Sequence, residues 1–385
     1  VSPPAEFRFS PAEYARRLTL TRERMAGRGL DALLVFSPAN ICYLAGHHSV
    51  NLWDYQCLLV PLESDPLMIL WEFERGRFEA SSWLDRRLTY RTHEDPIRTT
   101  RQAVEQAGLR AKRIGLETGG RYLSVEQYRR LTEALGDGAT ADGAGIVEGV
   151  RVVKSAEEIA VIREAAAITD RGMKAALEAV REGALDHDVA AEGTRALVAG
   201  GSHYMCIEPI VAVGPKAGLA HSTYGGTRVG PGDTVFIELG ACVHRYTAPL
   251  MRTAVAGPPS DAMVRLAACS RGAIEAMLEL MRPGARACDV AAAGRRAIAP
   301  VESDVVFHYI FGYSVGVGFP PSWLEESNFY LRSDNPAELR AGMVLHLPLT
   351  LRIFGRLGVG FSETVLVTPG GAEPLSALER SLSRR

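Results

Sequence analysis

The sequence predicts an α+β protein with a smaller α/β N-terminal domain over residues 1–150 and a larger C-terminal domain over 151–385. Three observations carry this reading. Helix-like and strand-like stretches alternate through the first 150 residues. A strong helix start at Ser155 then opens a region of long helices. Long antiparallel strand patterns, at 234–243, 343–354 and 359–368, dominate what remains.

Taken in order, "SPAEYARRLTLTRERMAGRGL" reads as a helix and "DALLVFS" as a strand. "YQCLLVPL" and "PLMILWEF" read as a hairpin-like pair, and "RIGLET" as a further strand. Ser155 with Glu158 makes a capping box, after which Ile159, Ile162, Ala166 and Met173 recur at helical spacing. That stripe is core rather than a site. "DHDVAAEGTRALVAGG" and "DAMVRLAACSRGAIEAMLELMRPG" suggest two more helices, each closed by glycine. There is no tandem repeat and no low-complexity linker.

Composition excludes several function classes. With 385 residues, 47% hydrophobic and 23% charged, the chain is long enough for about two domains. A formal net charge of -2 provides no basic field for nucleic acid and no polybasic patch for a membrane surface, so a small-molecule substrate fits best. The apolar runs fall well short of the roughly 18 residues a membrane span requires. The opening "VSPPAEFRFSPAEYARRL" carries charges where a signal peptide needs an apolar core, and a cytoplasmic location is expected. Six scattered cysteines (Cys42, Cys57, Cys206, Cys242, Cys269 and Cys288) show no C-x-x-C spacing, which argues against a disulfide framework or a zinc site.

One stretch raises a chemical question. "VFIELGACVHRYTAPLMRT", residues 235–253, reads as a buried strand, a tight turn and a returning strand, yet it carries the carboxylate of Glu238. A buried carboxylate costs several kcal/mol unless something pairs with it. Either Glu238 meets a ligand or it is matched by a cation such as Arg252. His221, in "LAHST", is a candidate proton carrier near neutral pH, or else a structural or exposed loop histidine. "GYSVGVG" does not end in G-K-[ST] and lies in no βαβ unit, so its glycines suggest close backbone approach to a cavity rather than a phosphate loop.

From residue 151 to about 375 the chain resembles the creatinase/prolidase (M24) family, whose catalytic domain has the pita-bread fold. The cues are "RVVKSAEEIAVIREAAAI", "GPKAGLAHST", "GDTVFIELGACVHRYTAPLMRT", "GYSVGVGFPPSW", "LRAGMVLHLPL" and "GVGFSETVLVT", in the family's order. The N-terminal domain is similar to that of creatinase and prolidase. In the metallopeptidases of this family two aspartates, a histidine and two glutamates hold two metal ions. The corresponding places here are Glu238, Pro249, Tyr313, Pro348 and Ser362. Divalent cations need several oxygen or nitrogen ligands at close range. The resemblance therefore implies a metal-free member with no cofactor, most similar to ectoine hydrolase-like proteins through "FIELGA", "PLMRT", "GYSVGVGFPPSW" and "YQCLLVP". Gly360, where the ectoine enzyme has a glutamate, and the segment "GHHSVNLWDYQ" depart from that pattern.

The same resemblance implies roles. His221 would be the acid/base, and Glu238 the nucleophile or an anchor for an amidinium. Tyr313 would line the pocket, and His346 would face the same cavity if its strand keeps the family's register. Trp53, Asp54 and Tyr55 align with a segment that in creatinase reaches into the partner's active site, which implies a homodimer. Glu363 reads as half of a structural salt bridge. His47, His48, His93, His187, His203, His244 and His308 read as surface or packing residues. The implied function is metal-independent hydrolysis of a C–N bond in a small amidine, guanidine or cyclic amide. A lyase, isomerase or cyclase on the same scaffold, and a non-catalytic binding protein, are the alternatives.

Overall fold

The computed structural model describes residues 8–136, 138–325 and 329–385. The chain divides into two compact units, one running to Arg151 and the other beginning at Val152.

In the first unit the opening helix α1 (Pro11–Gly27) is capped by Ser10, whose hydroxyl accepts the Glu13 N–H. It buries Arg17 by pairing it with Glu13 and stacking it on Phe9 and Tyr43. Then come β1 (Ala32–Val35), α2 (Pro38–Ala45), β2 (Cys57–Pro61), β3 (Leu67–Trp71), α3 (Arg75–Ser81), β4 (Arg87–Tyr90), α4 (Pro96–Gln106), β5 (Ile114–Leu116), α5 (Val125–Leu135), β6 (Thr140–Asp142) and α6 (Ile146–Arg151). The strands form one sheet in the order β4-β3-β2-β1-β5-β6. β2 and β3 pair antiparallel, as the two apolar runs suggested, and β5 joins β1 in parallel. Helix α2 shows no amphipathic signal in the sequence, although Ser37-Pro38 and Gly46 bracket it as start and stop residues. Every residue of "PANICYLA" is buried, so no amphipathic period marks it.

The second unit opens with α7 (Ala156–Ala179), whose Ser155–Glu158 capping box is formed. α8 (Asp186–Ala199), β7 (Ile210–Val213), β8 (Thr234–Val243), β9 (Tyr246–Val255), α9 (Asp261–Leu280) and α10 (Ala287–Ile298) follow. The chain ends with β10 (Gly312–Phe319), β11 (Ser322–Leu324), β12 (Tyr330–Leu331), β13 (Val344–Ile353), β14 (Leu357–Thr368), β15 (Gly371–Pro374) and β16 (Ser383–Arg384). The main sheet runs β15-β14-β13-β10-β9-β8-β7, with β11 and β12 paired to β10 and β16 to β9. The mixture of helices with a long, mostly antiparallel sheet is the α+β class expected.

The β8–β9 hairpin turns through His244 (φ 45°) and Arg245 (φ 69°). Two positive φ values suit the right-handed twist of a tight hairpin but are unfavourable for side chains larger than glycine. Arg245 is held there by hydrogen bonds to the Gly318 and Tyr204 carbonyls and by stacking on Tyr204 and Phe319.

Candidate active site

Strand alternation sorts the second unit's sheet into two faces. On β13, Leu345, Leu347, Leu349 and Leu351 enter the core with Met277, Val290 and Phe361, while His346, Pro348, Thr350 and Arg352 take the opposite face. Their cross-strand partners on β14 are Thr364, Ser362, Gly360 and Gly358. Glu238 pairs with Met251 in the β8–β9 ladder, and Gly240 with Pro249.

Alternation also decides what Glu238 can touch. Arg252 is one residue from Met251 and so points to the other face, where it donates to Glu363 Oε1 at 2.8 Å. Arg380 approaches the same oxygen at 3.2 Å. Arg252, the cation expected as a match for Glu238, is therefore committed elsewhere, and Glu363 is the salt-bridge residue its strand position suggested. Among the described residues no hydrogen-bond donor reaches the half-buried Glu238 carboxyl. Burial pushes its pKa up to about 7, opposed by the attraction of Arg352.

Tyr313 and His346 meet across the β10–β13 pair. The Tyr313 hydroxyl lies 2.8 Å from His346 Nδ1, and His346 Nε2 lies 2.7 Å from Ser362 Oγ. Trp323 Nε1–H donates to Tyr313 at 3.0 Å, and the Met251 N–H donates to Ser362 at 2.7 Å. Burial holds the imidazole neutral by lowering its pKa to about 3, with His308 adding to the effect. Counting donors then sets the protons. Ser362 is fully buried, and the acceptor open to its hydroxyl is His346 Nε2, so the ring proton is assigned to Nδ1, on the side of Tyr313. Tyr313 accepts from both Trp323 and His346 and keeps its own O–H to donate. Burial and the neighbouring Glu238 raise its pKa.

His221 follows the short 3₁₀ turn Gly214–Gly218 and adopts φ 58°. That turn lies hard against the end of β14. A Cβ on Gly358 would stand 2.0 Å from the Ala217 carbonyl oxygen, and one on Gly218 2.5 Å from that of Ile353. The two glycines bring the His221 loop onto the sheet, where the imidazole is exposed and electrostatically coupled to His308. His308 sits on a loop tied to β13 by the Val306 N–H to Arg352 carbonyl bond of 2.7 Å. Its Nδ1 accepts the Ile310 N–H at 3.0 Å, and its pKa is lowered to about 4 by surrounding protein, then by Arg352 and His221. The Arg352 guanidinium lies over the Phe236 ring, 5.2 Å from its centroid.

Glu238, Tyr313, His346 and His221 all lie in the second unit, and Arg352 and His308 are electrostatic neighbours that link them. His308 is exposed, in keeping with its reading as a surface or packing residue, yet it neighbours Arg352 electrostatically, and Arg352 carried no signal at all in "LRIFGR". The glycines of "GYSVGVG" differ from expectation too. Gly312 makes room for Leu331 and Leu347, Gly316 for the buried Lys154–Glu325 pair, and Gly318 for Cys206 and Trp323. Gly360 has no space for a glutamate, because a Cβ there would stand 2.4 Å from Thr350 Cα.

Trp53, Asp54 and Tyr55 lie in the first unit. They border a surface cavity of ≈ 300 Å³ shared with Arg121, Tyr122 and Gln127. Trp53 is 78% exposed, Asp54 accepts from Asn51 Nδ2 at 2.9 Å, and the Tyr55 hydroxyl is 2.8 Å from Thr100 Oγ1.

A pair of divalent cations does not fit this donor set. Of the five places that the resemblance assigns to metal ligands, two are prolines, and the Tyr313 and Ser362 oxygens already serve His346. No group of three or more His, Cys, Asp or Glu that could hold a metal ion occurs among the described residues. No helix of the described residues is long and apolar enough to cross a membrane.

Comparison with known proteins agrees with the architecture. Residues 160–369 match the model of metallopeptidase family M24, and residues 17–153 that of the creatinase/prolidase N-terminal domain. An uncharacterized hydrolase/peptidase of Sinorhizobium fredii is 32% identical, covering 97% of this chain and 98% of that one. The ectoine hydrolase of Halomonas elongata is 28% identical over 97% of this chain and 98% of its own. The crystal structure of the dipeptidase PepE from Mycobacterium ulcerans superposes with a TM-score of 0.85 at 23% identity, covering 98% of this chain and 99% of that one. On these matches, with a pita-bread domain preceded by a creatinase-type domain, the chain belongs to the M24 family of hydrolases.

Proposed function

We propose that this protein is a metal-independent hydrolase of a C–N bond in a small amidine, guanidine or cyclic amide. The observation that carries the reading is Glu238, a carboxyl with no hydrogen-bond partner among the described residues and a pKa of about 7, and the family resemblance implies that it occupies a metal-ligand place. At neutral pH both of its protonation states are populated. The carboxylate form attracts an amidinium or attacks its central carbon, and the acid form donates a proton. The likeness to the ectoine hydrolase of Halomonas elongata supports a non-peptide substrate.

Opening an amidine ring consumes one water. The water oxygen bonds to the amidine carbon, the C–N bond breaks, and its protons pass to the departing nitrogen and the new carbonyl product. His221, exposed on its loop, exchanges protons with water and leaving nitrogen. Tyr313, aligned by His346, donates its O–H to the reacting group. Trp53, Asp54 and Tyr55 contact the substrate bound by the partner subunit of a homodimer, and closure by that segment excludes water. The enzyme works in the cytoplasm.

The test is turnover of a panel of cyclic amidines including ectoine, guanidines and lactams, followed by mass spectrometry in H₂¹⁸O. One labelled oxygen per product, lost with Glu238→Gln and with His221→Ala, is the expected result. A product without label makes the enzyme a lyase, isomerase or cyclase. A monomer by light scattering removes Trp53, Asp54 and Tyr55 from the site.

A further inference from the structure

His221 rides on a loop that packing does little to hold. Leu219, Ala220, His221, Thr223, Gly225 and Gly226 are exposed, and a segment with so little buried surface opens locally unless polar bonds fix it. Two side chains supply the main ones.

The first is Asp186, the opening residue of α8, which is fully buried. Its Oδ2 accepts the Gly225 N–H at 3.0 Å and the Thr227 N–H at 3.0 Å, and its Oδ1 accepts the Gly226 N–H at 2.9 Å. Three successive N–H groups converge on one carboxylate only where the backbone can curl, and Gly226 allows this with φ 90°. The Asp186 N–H in turn donates to the Thr227 carbonyl at 2.9 Å, so helix and loop are bonded in both directions. Burial by itself would raise the carboxyl's pKa, but the three N–H groups hold it below the usual carboxylate range. Bonds to an ionised acceptor are roughly twice as strong as neutral ones. Lys216 Nζ, 3.8 Å from Asp186 Oδ2, donates to Thr227 Oγ1 at 3.3 Å and closes the cluster.

The second is Thr223, two residues after His221. Its hydroxyl accepts the Val211 N–H at 3.3 Å and donates to the Pro209 carbonyl at 3.4 Å. Both partners flank Ile210, which pairs with Glu238 across the β7–β8 ladder. Thr223 therefore ties the histidine loop to the strand next to Glu238.

We propose that Asp186 is a positioning residue for His221: its carboxylate fixes the course of the loop that carries the imidazole, and the Thr223 hydroxyl is a second, weaker tether to β7. This rests on the reading above in which His221 moves protons during hydrolysis. The carboxylate is needed, not its shape alone, because an amide at position 186 has one acceptor oxygen and would set its own N–H groups against the loop's donors.

Asp186→Asn and Thr223→Val, each close to its parent in shape, test this. Hydrogen exchange read by mass spectrometry should be faster by about tenfold or more over residues 219–228 in Asp186→Asn, and unchanged over 234–243. The ¹³C-labelled His221 ring signal, identified by its absence from His221→Ala, should shift or broaden while the His346 signal stays. Thr223→Val should change both readouts in the same direction by less, and it decides the matter alone if Asp186→Asn does not fold. On a substrate found by the panel, Asp186→Asn should lower kcat by about tenfold or more with KM within about threefold, and should add no loss to His221→Ala. Unchanged exchange and an unmoved His221 signal overturn the proposal. So does a further loss of kcat on top of His221→Ala, since Asp186 would then act by another route. Wild-type turnover by His221→Ala would instead sink the acid/base reading, while the exchange and ring signals still decide whether Asp186 holds the loop.

Discussion

His346 bridges Tyr313 and Ser362: its Nδ1 lies 2.8 Å from the phenol oxygen and its Nε2 2.7 Å from Ser362 Oγ, and with the ring proton assigned to Nδ1 the imidazole donates to the tyrosine. The serine, itself pinned by the Met251 N–H, thus aligns a tyrosine that faces Glu238.

His346→Phe should break this chain and leave the Ser362 hydroxyl buried without an acceptor. Each such group costs about 1–3 kcal/mol, which urea unfolding at pH 7 will read as a lowered midpoint. The pH dependence has a definite sign. His346 titrates near 3 in the fold against 6.5 ordinarily, so the unfolded chain binds the extra proton and stability falls as pH drops from 6.5 toward 3. The variant should lose stability less steeply over that window than the wild type does.

Glu238→Gln should behave in the opposite sense. Its folded pKa of about 7 lies above the usual 4.5, so the folded protein binds the extra proton and stability falls as pH rises between those values. Relative to wild type, the variant should gain stability from pH 5 to pH 8, by up to about 3 kcal/mol for a shift of this size, less whatever solvent screens. A flat difference across that range would mean that Glu238 is ordinarily ionised.

Glu363→Gln removes the anion that matches Arg252 and Arg380, and Arg252 is almost wholly buried. Breaking a buried pair from one side typically costs about 3–5 kcal/mol. The melting temperature should fall strongly, while KM for any substrate found should change little, since this pair lies on the face away from Glu238.

Elemental analysis of the purified protein should find well under one equivalent of Mn, Fe, Co or Zn per chain, because two of the five places that the resemblance assigns to metal ligands are prolines without donors. Two equivalents would mean that other residues assemble a site.

Much of the second unit could be read from its sequence. Strands β8, β13 and β14 carry long β-branched and apolar runs, and α7 announces itself by Ser155 and Glu158. Strand alternation alone puts Glu363 on the face away from Ser362. Helix α2 escaped because a fully buried helix has no polar face to set a period. Arg352 and His308 escaped for a different reason. They come together through one backbone bond between Val306 and Arg352, a long-range pairing with no local signature, and each looks like ordinary surface in its own stretch. The glycines near Tyr313 were misjudged because what a missing Cβ makes room for depends on neighbours far along the chain.

The most direct test of a carboxylate acting without metal is the rate of C–N cleavage, on whichever amidine or lactam the panel identifies, by exhaustively chelated wild type and by Glu238→Gln. Chelation should leave the rate unchanged, and the substitution should lower it by at least about 10²-fold. A chelated enzyme revived only by added Mn, Co or Zn, or a Glu238→Gln variant with near-wild-type turnover, would contradict the account.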